Sequence, residues 1–149
     1  MRGIARLGVA LLVLGAVACG TAPSMNDSGD LVQALQSYNR LIRWQRWSDA
    51  AQFVAPEQRT AWPDQRSLRG GAGLSIADVA LAGVQQASPQ AEEAKVFVRI
   101  AWYRVPDTTL RESVWEQSWK LDRGEGWRLM AEEEAAAAPT EAEPAPAWP

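Results

Sequence analysis

Cys19 is the single cysteine of a chain that contains no histidine. Those two facts limit the chemistry before any element is placed. A lone thiol cannot close an intramolecular disulfide. Without imidazole, Ser75, Ser113 and Ser118 have no partner for a hydrolytic relay. Metal coordination lacks its usual nitrogen and sulfur ligands, so neither a metal nor a cofactor is expected. Gly70-Gly71-Ala72-Gly73 has no Lys-Ser/Thr pair after it and reads as a turn rather than a phosphate cradle. Acid–base work is left to carboxylates and phenols, chiefly Asp78, Glu112 and Glu116 with Tyr38 and Tyr103. Glu112 and Glu116 are four residues apart. On a strand that spacing is about 13 Å, beyond the roughly 5–9.5 Å of a glycosidase pair. They read as a solvated face, and an edge position explains Asp78 as well as a role as base does. No catalytic residue is assigned.

The 8 tryptophans are the other chemical oddity. Seven of them, Trp44, Trp47, Trp62, Trp102, Trp115, Trp119 and Trp127, lie between residues 30 and 131. Each offers a large area to a core. The alternative is an aromatic-lined pocket for an apolar or sugar-like ligand, with Tyr38 and Gln117 as polar handles. The candidate pocket-lining residues are Tyr38, Trp62, Trp102, Trp115 and Gln117. Adjacent Trp102 and Tyr103 point to opposite faces of a strand, so one of the two at most lines such an interior.

The elements that must position these residues follow from periodicity. Leu31, Leu35, Tyr38 and Ile42 recur at helical spacing, with Asp30 as N-cap. Asp49 to Val54 reads as a short second helix with Ser48 as N-cap and Pro56 just past its end. Residues 56–73 are expected to be irregular, apart from a turn near Glu57 to Ala61. The period then becomes two. Ser75 to Gln86 forms a strand with Val79 and Leu81 on one face and Ile76 and Val84 on the other. Ala94, Val96, Val98, Ile100 and Trp102 share one face of a second strand, opposite Lys95, Phe97, Arg99 and Tyr103. Leu110 to Asp122 is a third strand, and Trp127 to Met130 a short fourth. Helices followed by strands joined through short turns predict an α+β domain built on an antiparallel meander.

The ends differ in composition. Arg2 and Arg6 precede an uncharged stretch from Leu7 to Ala18. About 12 residues of helix rise only about 18 Å, short of a hydrocarbon core of about 30 Å. The layout is that of a secretory signal. Gly15-Ala16-Val17-Ala18-Cys19 resembles the bacterial lipobox, in which small residues precede a cysteine that is acylated and becomes the new N-terminus. Ala16 stands where Leu is commoner. The resemblance implies lipid on Cys19, palmitate among its chains, and attachment to a membrane through it. Gly20 is not the Asp of an inner-membrane retention signal, which implies the outer membrane, facing the periplasm. The alternative is ordinary cleavage after Ala18 and an unanchored secreted protein. The expected organisation is therefore signal peptide 1–18, flexible tether 19–29, folded domain 30–131 and disordered Ala/Pro/Glu tail 132–149. Without Arg2 and Arg6 the 15 basic side chains become 13, against 18 acidic ones. No basic stripe appears, which excludes nucleic acid as the natural partner.

Tyr38-Asn39-Arg40, Trp47-Ser48-Asp49-Ala50-Ala51, Val54-Ala55-Pro56-Glu57, Trp102-Tyr103, Gln117-Ser118-Trp119-Lys120 and Gly126-Trp127-Arg128-Leu129 come in that order. The pattern is similar to small bacterial lipoproteins with the nuclear transport factor 2-like fold, over residues 31–131. The resemblance implies N-terminal helices packed on a strongly bent antiparallel sheet that forms a cone with a pocket. It also leaves a homodimer through the outer sheet face open. The family holds isomerases and dehydratases and many members without known catalysis, so the fold assigns no activity. The expected function is a membrane-anchored envelope lipoprotein acting as a non-catalytic binding or scaffold module. Its partner is another envelope protein or a small apolar ligand. The alternative is an isomerase- or dehydratase-type enzyme that uses a pocket carboxylate and a tyrosine.

Overall fold

Leu31, Leu35, Tyr38 and Ile42 recur every three to four residues, and all four are buried. They lie on α1, Ser28–Arg43, in a computed structural model that describes residues 28–136. The expected signal peptide, Cys19 and the tail beyond residue 136 lie outside the described residues. Asp30 sits inside the first turn of α1 rather than at its cap, and Arg40 and Arg43 occupy the last turn. Both placements complement the helix dipole.

The next segment departs from expectation. In place of one capped helix, α2 spans Trp47–Ala50 and tightens into a 3-10 turn at Ala51–Phe53. Ser48 is inside α2, and Arg46 holds the cap position without a side-chain cap bond. A further helix, α3, spans Trp62–Gly70 where irregular chain was expected. Pro63 fits its first turn, and Gly71, at φ 67°, takes the left-handed turn that ends it. Helical spacing hides in this segment because its buried residues are Trp62, Arg66 and Gly70. A charged residue and a glycine give no apolar stripe.

The strands are β1 Leu74–Gln85, β2 Glu93–Arg104, β3 Arg111–Asp122 and β4 Gly126–Ala135. They form one open antiparallel sheet in the order β1-β2-β3-β4. The expected α+β class is the one observed: N-terminal helices against an antiparallel sheet. The apolar face of α1 meets Val96, Val98, Ile100, Trp119, Leu121, Trp127 and Leu129 in one cluster. Full burial stabilises by roughly 1.5–3 kcal/mol for each large apolar side chain. None of the described helices is long and apolar enough to cross a membrane.

Bulges decide which residues face inward. In β1 the pairing skips Ala77 and Ala82. Ile76, Val79, Leu81 and Val84 therefore pair with Trp102, Ile100, Val98 and Val96, and all four pack against the core. Strict alternation had split them between two faces; each skipped residue returns the strand to the same face. In β4 the skipped residue is Met130, because Leu129 pairs with Trp119 and Ala131 with Ser118. Before the bulge Trp127 and Leu129 point inward, and after it Glu132 and Glu134 pair with the core-facing Gln117 and Trp115. The strand also runs through Ala135, so Glu132, Glu133 and Glu134 are strand residues and not the start of a disordered tail.

Candidate functional site

Three elements bring charge and aromatic rings together beneath the bulge. α3 supplies Trp62 and, one turn on, Arg66. β4 turns Glu132 inward after Met130, and α1 supplies Tyr38. Arg66 Nη2 lies 2.9 Å from Glu132 Oε1, with the two side chains 7% and 4% exposed. The Tyr38 hydroxyl donates to Glu132 Oε2 at 2.7 Å, and Gln117 Nε2 donates to the same oxygen at 3.3 Å. Gln117 Oε1 in turn accepts from the Trp119 indole at 3.1 Å. The Arg66 guanidinium lies 4.6 Å from the Trp115 ring centre and 5.6 Å from that of Trp47. This stacking supports a cation withdrawn from water.

Backbone contacts fix the geometry. Gln58 Nε2 donates to the carbonyl of Met130, the bulged residue, at 3.1 Å, and Arg69 Nη1 donates to the Glu132 carbonyl at 3.3 Å. Ala55 N donates to Leu129 O at 2.9 Å, joining the segment before α3 to the β4 edge. The Tyr38 ring is held 5.4 Å from Trp119 in an edge-on contact. Burial pushes the Tyr38 phenol well above its ordinary range, and the Glu132 charge raises it further. Tyr38 is thus a neutral hydrogen-bond donor, and its proton is directed at Glu132.

Two cavities open beside this cluster. One, of about 270 Å³, lies between α3 and β4 and is lined by Trp62, Gln65, Arg66, Arg69, Met130 and Glu132, among others. The other, of about 150 Å³, lies at the core-facing side of the sheet against Ile76, Ile100, Trp102, Ser113 and Trp115, with Arg66, Arg69, Arg104 and Glu134 at its wall. Of the candidate pocket residues, Trp62 lines the first cavity, and Trp102 and Trp115 line the second. Tyr38 and Gln117 line neither of these two; both are fully buried and take part in the hydrogen-bond network between them.

The acids singled out by sequence are elsewhere. Asp78 is on the edge strand, largely exposed, with Arg43 at 3.5 Å. Glu112 is exposed, and Glu116 pairs with Lys95 across the outer face at 2.6 Å. The interior acid is Glu132, and the residue that meets it is Arg66. Both lay outside the sequence reading, Glu132 because it was assigned to the tail. Simple alternation from Trp127 and Leu129 places Glu132 outward, where an acid is expected, so the sequence carries no signal for its burial. Among the described residues no group of three or more potential ligands could hold a metal.

Comparison with known proteins adds a fold and no family. No family model and no curated protein matches the chain. The chain is similar in structure to a SEC-C motif containing protein from Rhodopseudomonas palustris. That likeness has a TM-score of 0.56 at 12% identity, covering 73% of this chain and 81% of the other. The two share an overall fold. An NTF-2 like protein of unknown function from Shewanella oneidensis superimposes at a TM-score of 0.47 and 16% identity, over 72% of this chain and 97% of the other.

Proposed function

We propose that this chain is an envelope lipoprotein, held at a membrane by lipid on Cys19, whose nuclear transport factor 2-like body is a binding module rather than a catalyst. The observation that supports the second half is the state of Glu132. A general base needs a carboxylate with a lone pair aimed at a substrate proton. Here one oxygen accepts from Tyr38 and Gln117, and the other lies against the Arg66 guanidinium. The phenol that an isomerase would aim at a substrate oxygen is directed at the same carboxylate. The arrangement joins helix to sheet and leaves cavities lined by tryptophan and arginine on either side.

The anchoring half rests on the small-residue run before Cys19. Several acyl chains on one residue anchor stably, at roughly 0.8 kcal/mol per buried CH₂. Crosslinking in intact cells, followed by membrane fractionation and native purification, tests both halves. The proposal expects the protein in the outer-membrane fraction, joined to an envelope partner or carrying a small ligand. Recovery from the soluble periplasm, with Glu132→Gln abolishing turnover of a co-purified small molecule, would instead establish the enzyme reading.

A further inference from the structure

The cavity at the core-facing side of the sheet joins an apolar floor to a charged rim. Ile76, Ile100 and the half-buried Trp102 and Trp115 line the floor. Along β2, Ile100, Trp102 and Arg104 follow one another at every second residue and all border the cavity. At about 6.6 Å for two residues of strand, the wall runs about 13 Å from Ile100 to Arg104. Arg69, in the last turn of α3, borders the same cavity.

Most of the described cations pair with carboxylates. Of the described lysines and arginines, only Arg40, Arg69, Arg99 and Arg104 form no ion pair. Two of these share this one cavity. Each directs one terminal nitrogen at a backbone carbonyl, Arg69 Nη1 at Glu132 O at 3.3 Å and Arg104 Nη1 at Ala72 O at 3.4 Å. A guanidinium has five N–H donors, so donors remain on both, and both side chains are exposed to an incoming ligand. Arg104 is held beside the floor, 5.5 Å from the Trp102 ring centre. Arg66 adds no net charge, because Glu132 lies 2.9 Å from it. Glu134 is the exposed acid at the wall and pairs with neither arginine. Two cations against one anion leave the rim net positive.

We propose, resting on the binding-module reading, that this cavity takes a small apolar monocarboxylate, with one ring against the indoles and its carboxylate at Arg69 and Arg104. An apolar cavity of about 150 Å³ holds a benzene ring, and this cavity has that volume, about 150 Å³. The Trp102 indole donates to Ser113 Oγ at 3.0 Å, which fixes one ring of the floor. A carboxylate accepts paired hydrogen bonds from a guanidinium. A neutral ligand would fill the floor and leave both arginines to water. An ammonium would meet two cations and one carboxylate. A dianion would be repelled by Glu134 more strongly than a monoanion.

The test is an NMR titration of the full-length protein in nonionic detergent micelles at neutral pH, with ¹⁵N-labelled tryptophan, following the Trp102 and Trp115 indoles. The probes are phenylacetate, its neutral amide phenylacetamide, benzylammonium and acetate. On the parent protein the proposal expects saturable indole shifts with phenylacetate, at an affinity at least tenfold above that for the other three. Arg69→Gln combined with Arg104→Gln should weaken phenylacetate at least tenfold. Arg99→Gln, which removes an unpaired arginine outside this cavity, should change it less than twofold. The ranking of the probes needs no variant, so it decides the question even where the double variant fails to fold. Phenylacetamide, benzylammonium or acetate binding as tightly as phenylacetate overturns the proposal. So does the absence of a saturable shift with any probe, or a folded double variant that binds like the parent. Absence of binding leaves a protein partner for the module, whereas conversion of bound phenylacetate to a new species would support the site and overturn only the non-catalytic reading.

Discussion

Replacing Glu132 by alanine is the perturbation with the largest effect that the geometry specifies. The substitution leaves the Arg66 cation with a side chain only 7% exposed and its partner gone. Breaking one side of a buried ion pair costs about 3–5 kcal/mol, most of it the cost of the stranded charge. The same change removes the acceptor of the Tyr38 hydroxyl and the Gln117 amide. A stranded buried donor costs about 1–3 kcal/mol, but the effects share one site and do not add in full. A loss of about 4 kcal/mol is expected, a large part of the roughly 5–15 kcal/mol that stabilises a domain. The paired change Glu132→Leu with Arg66→Met removes both charges and should bring stability back to within about 1 kcal/mol of the parent, or above it. Glu133 is exposed on the other face, and its alanine variant should stay within about 0.5 kcal/mol. Urea unfolding, followed by tryptophan fluorescence and far-ultraviolet circular dichroism with m-values compared, measures all four proteins. A cost under about 1 kcal/mol for Glu132→Ala, or an equal cost for Glu133→Ala, would refute the inward placement of Glu132 and with it the role of the Met130 bulge.

Deleting Met130 should leave Leu129 opposite Trp119, Ala131 opposite Ser118 and Glu132 opposite Gln117, so Glu132 and Glu134 stay inward and unfolding stays cooperative; loss of the fixed tryptophan packing read by near-ultraviolet circular dichroism would contradict this register. The pH dependence follows from Tyr38. Its folded-state value is raised above the ordinary phenol, so the unfolded chain loses that proton first. The contribution is complete below about pH 10 and falls as pH rises beyond it. Tyr38→Phe should cost about 1–2 kcal/mol at neutral pH, from the lost hydrogen bond to a charged acceptor, and flatten the decline above pH 10 in a urea-denaturation series. A variant as steep as the parent would assign the alkaline limb to other groups.

How much of this was legible in the sequence depends on whether a rule of fixed period applied. The run Ala94, Val96, Val98, Ile100, Trp102 alternates without interruption, and β2 has the boundaries and faces expected within a residue. The helical stripe of α1 was equally plain. β1 was recognised as a strand, but its faces were misassigned, because nothing in Ala77 or Ala82 distinguishes a skipped residue from a paired one. Alanine leaves a bulge without a side-chain signature. α3 was missed because its inward positions are Trp62, Arg66 and Gly70, and a hydrophobic pattern cannot count an arginine that is buried only by virtue of Glu132 and two indole rings. Glu132 was missed for the converse reason. In a run of three glutamates followed by alanines it carries the composition of a solvated tail, and its partner lies 66 residues earlier in a helix that was not expected. The two errors are one error: each half of the pair makes the other intelligible. The division of the tryptophans between core and cavity wall was not foreseeable. Trp119 and Trp127 are core, Trp62 on α3 is buried in the same core and also lines a cavity, and Trp102 and Trp115 are half-buried at the other cavity.

The measurement that tests the account most directly is intact-mass and tandem mass spectrometry of the protein purified from the membranes of cells that make it. The account predicts a mature chain that begins at Cys19, with fatty acyl mass on that residue and no residues 1–18. A Cys19→Ser variant should be left unprocessed and unlabelled by an alkyne fatty acid. A mature chain that begins at residue 19 without acyl mass, or a Cys19→Ser variant processed and fractionated like the parent, would contradict the account.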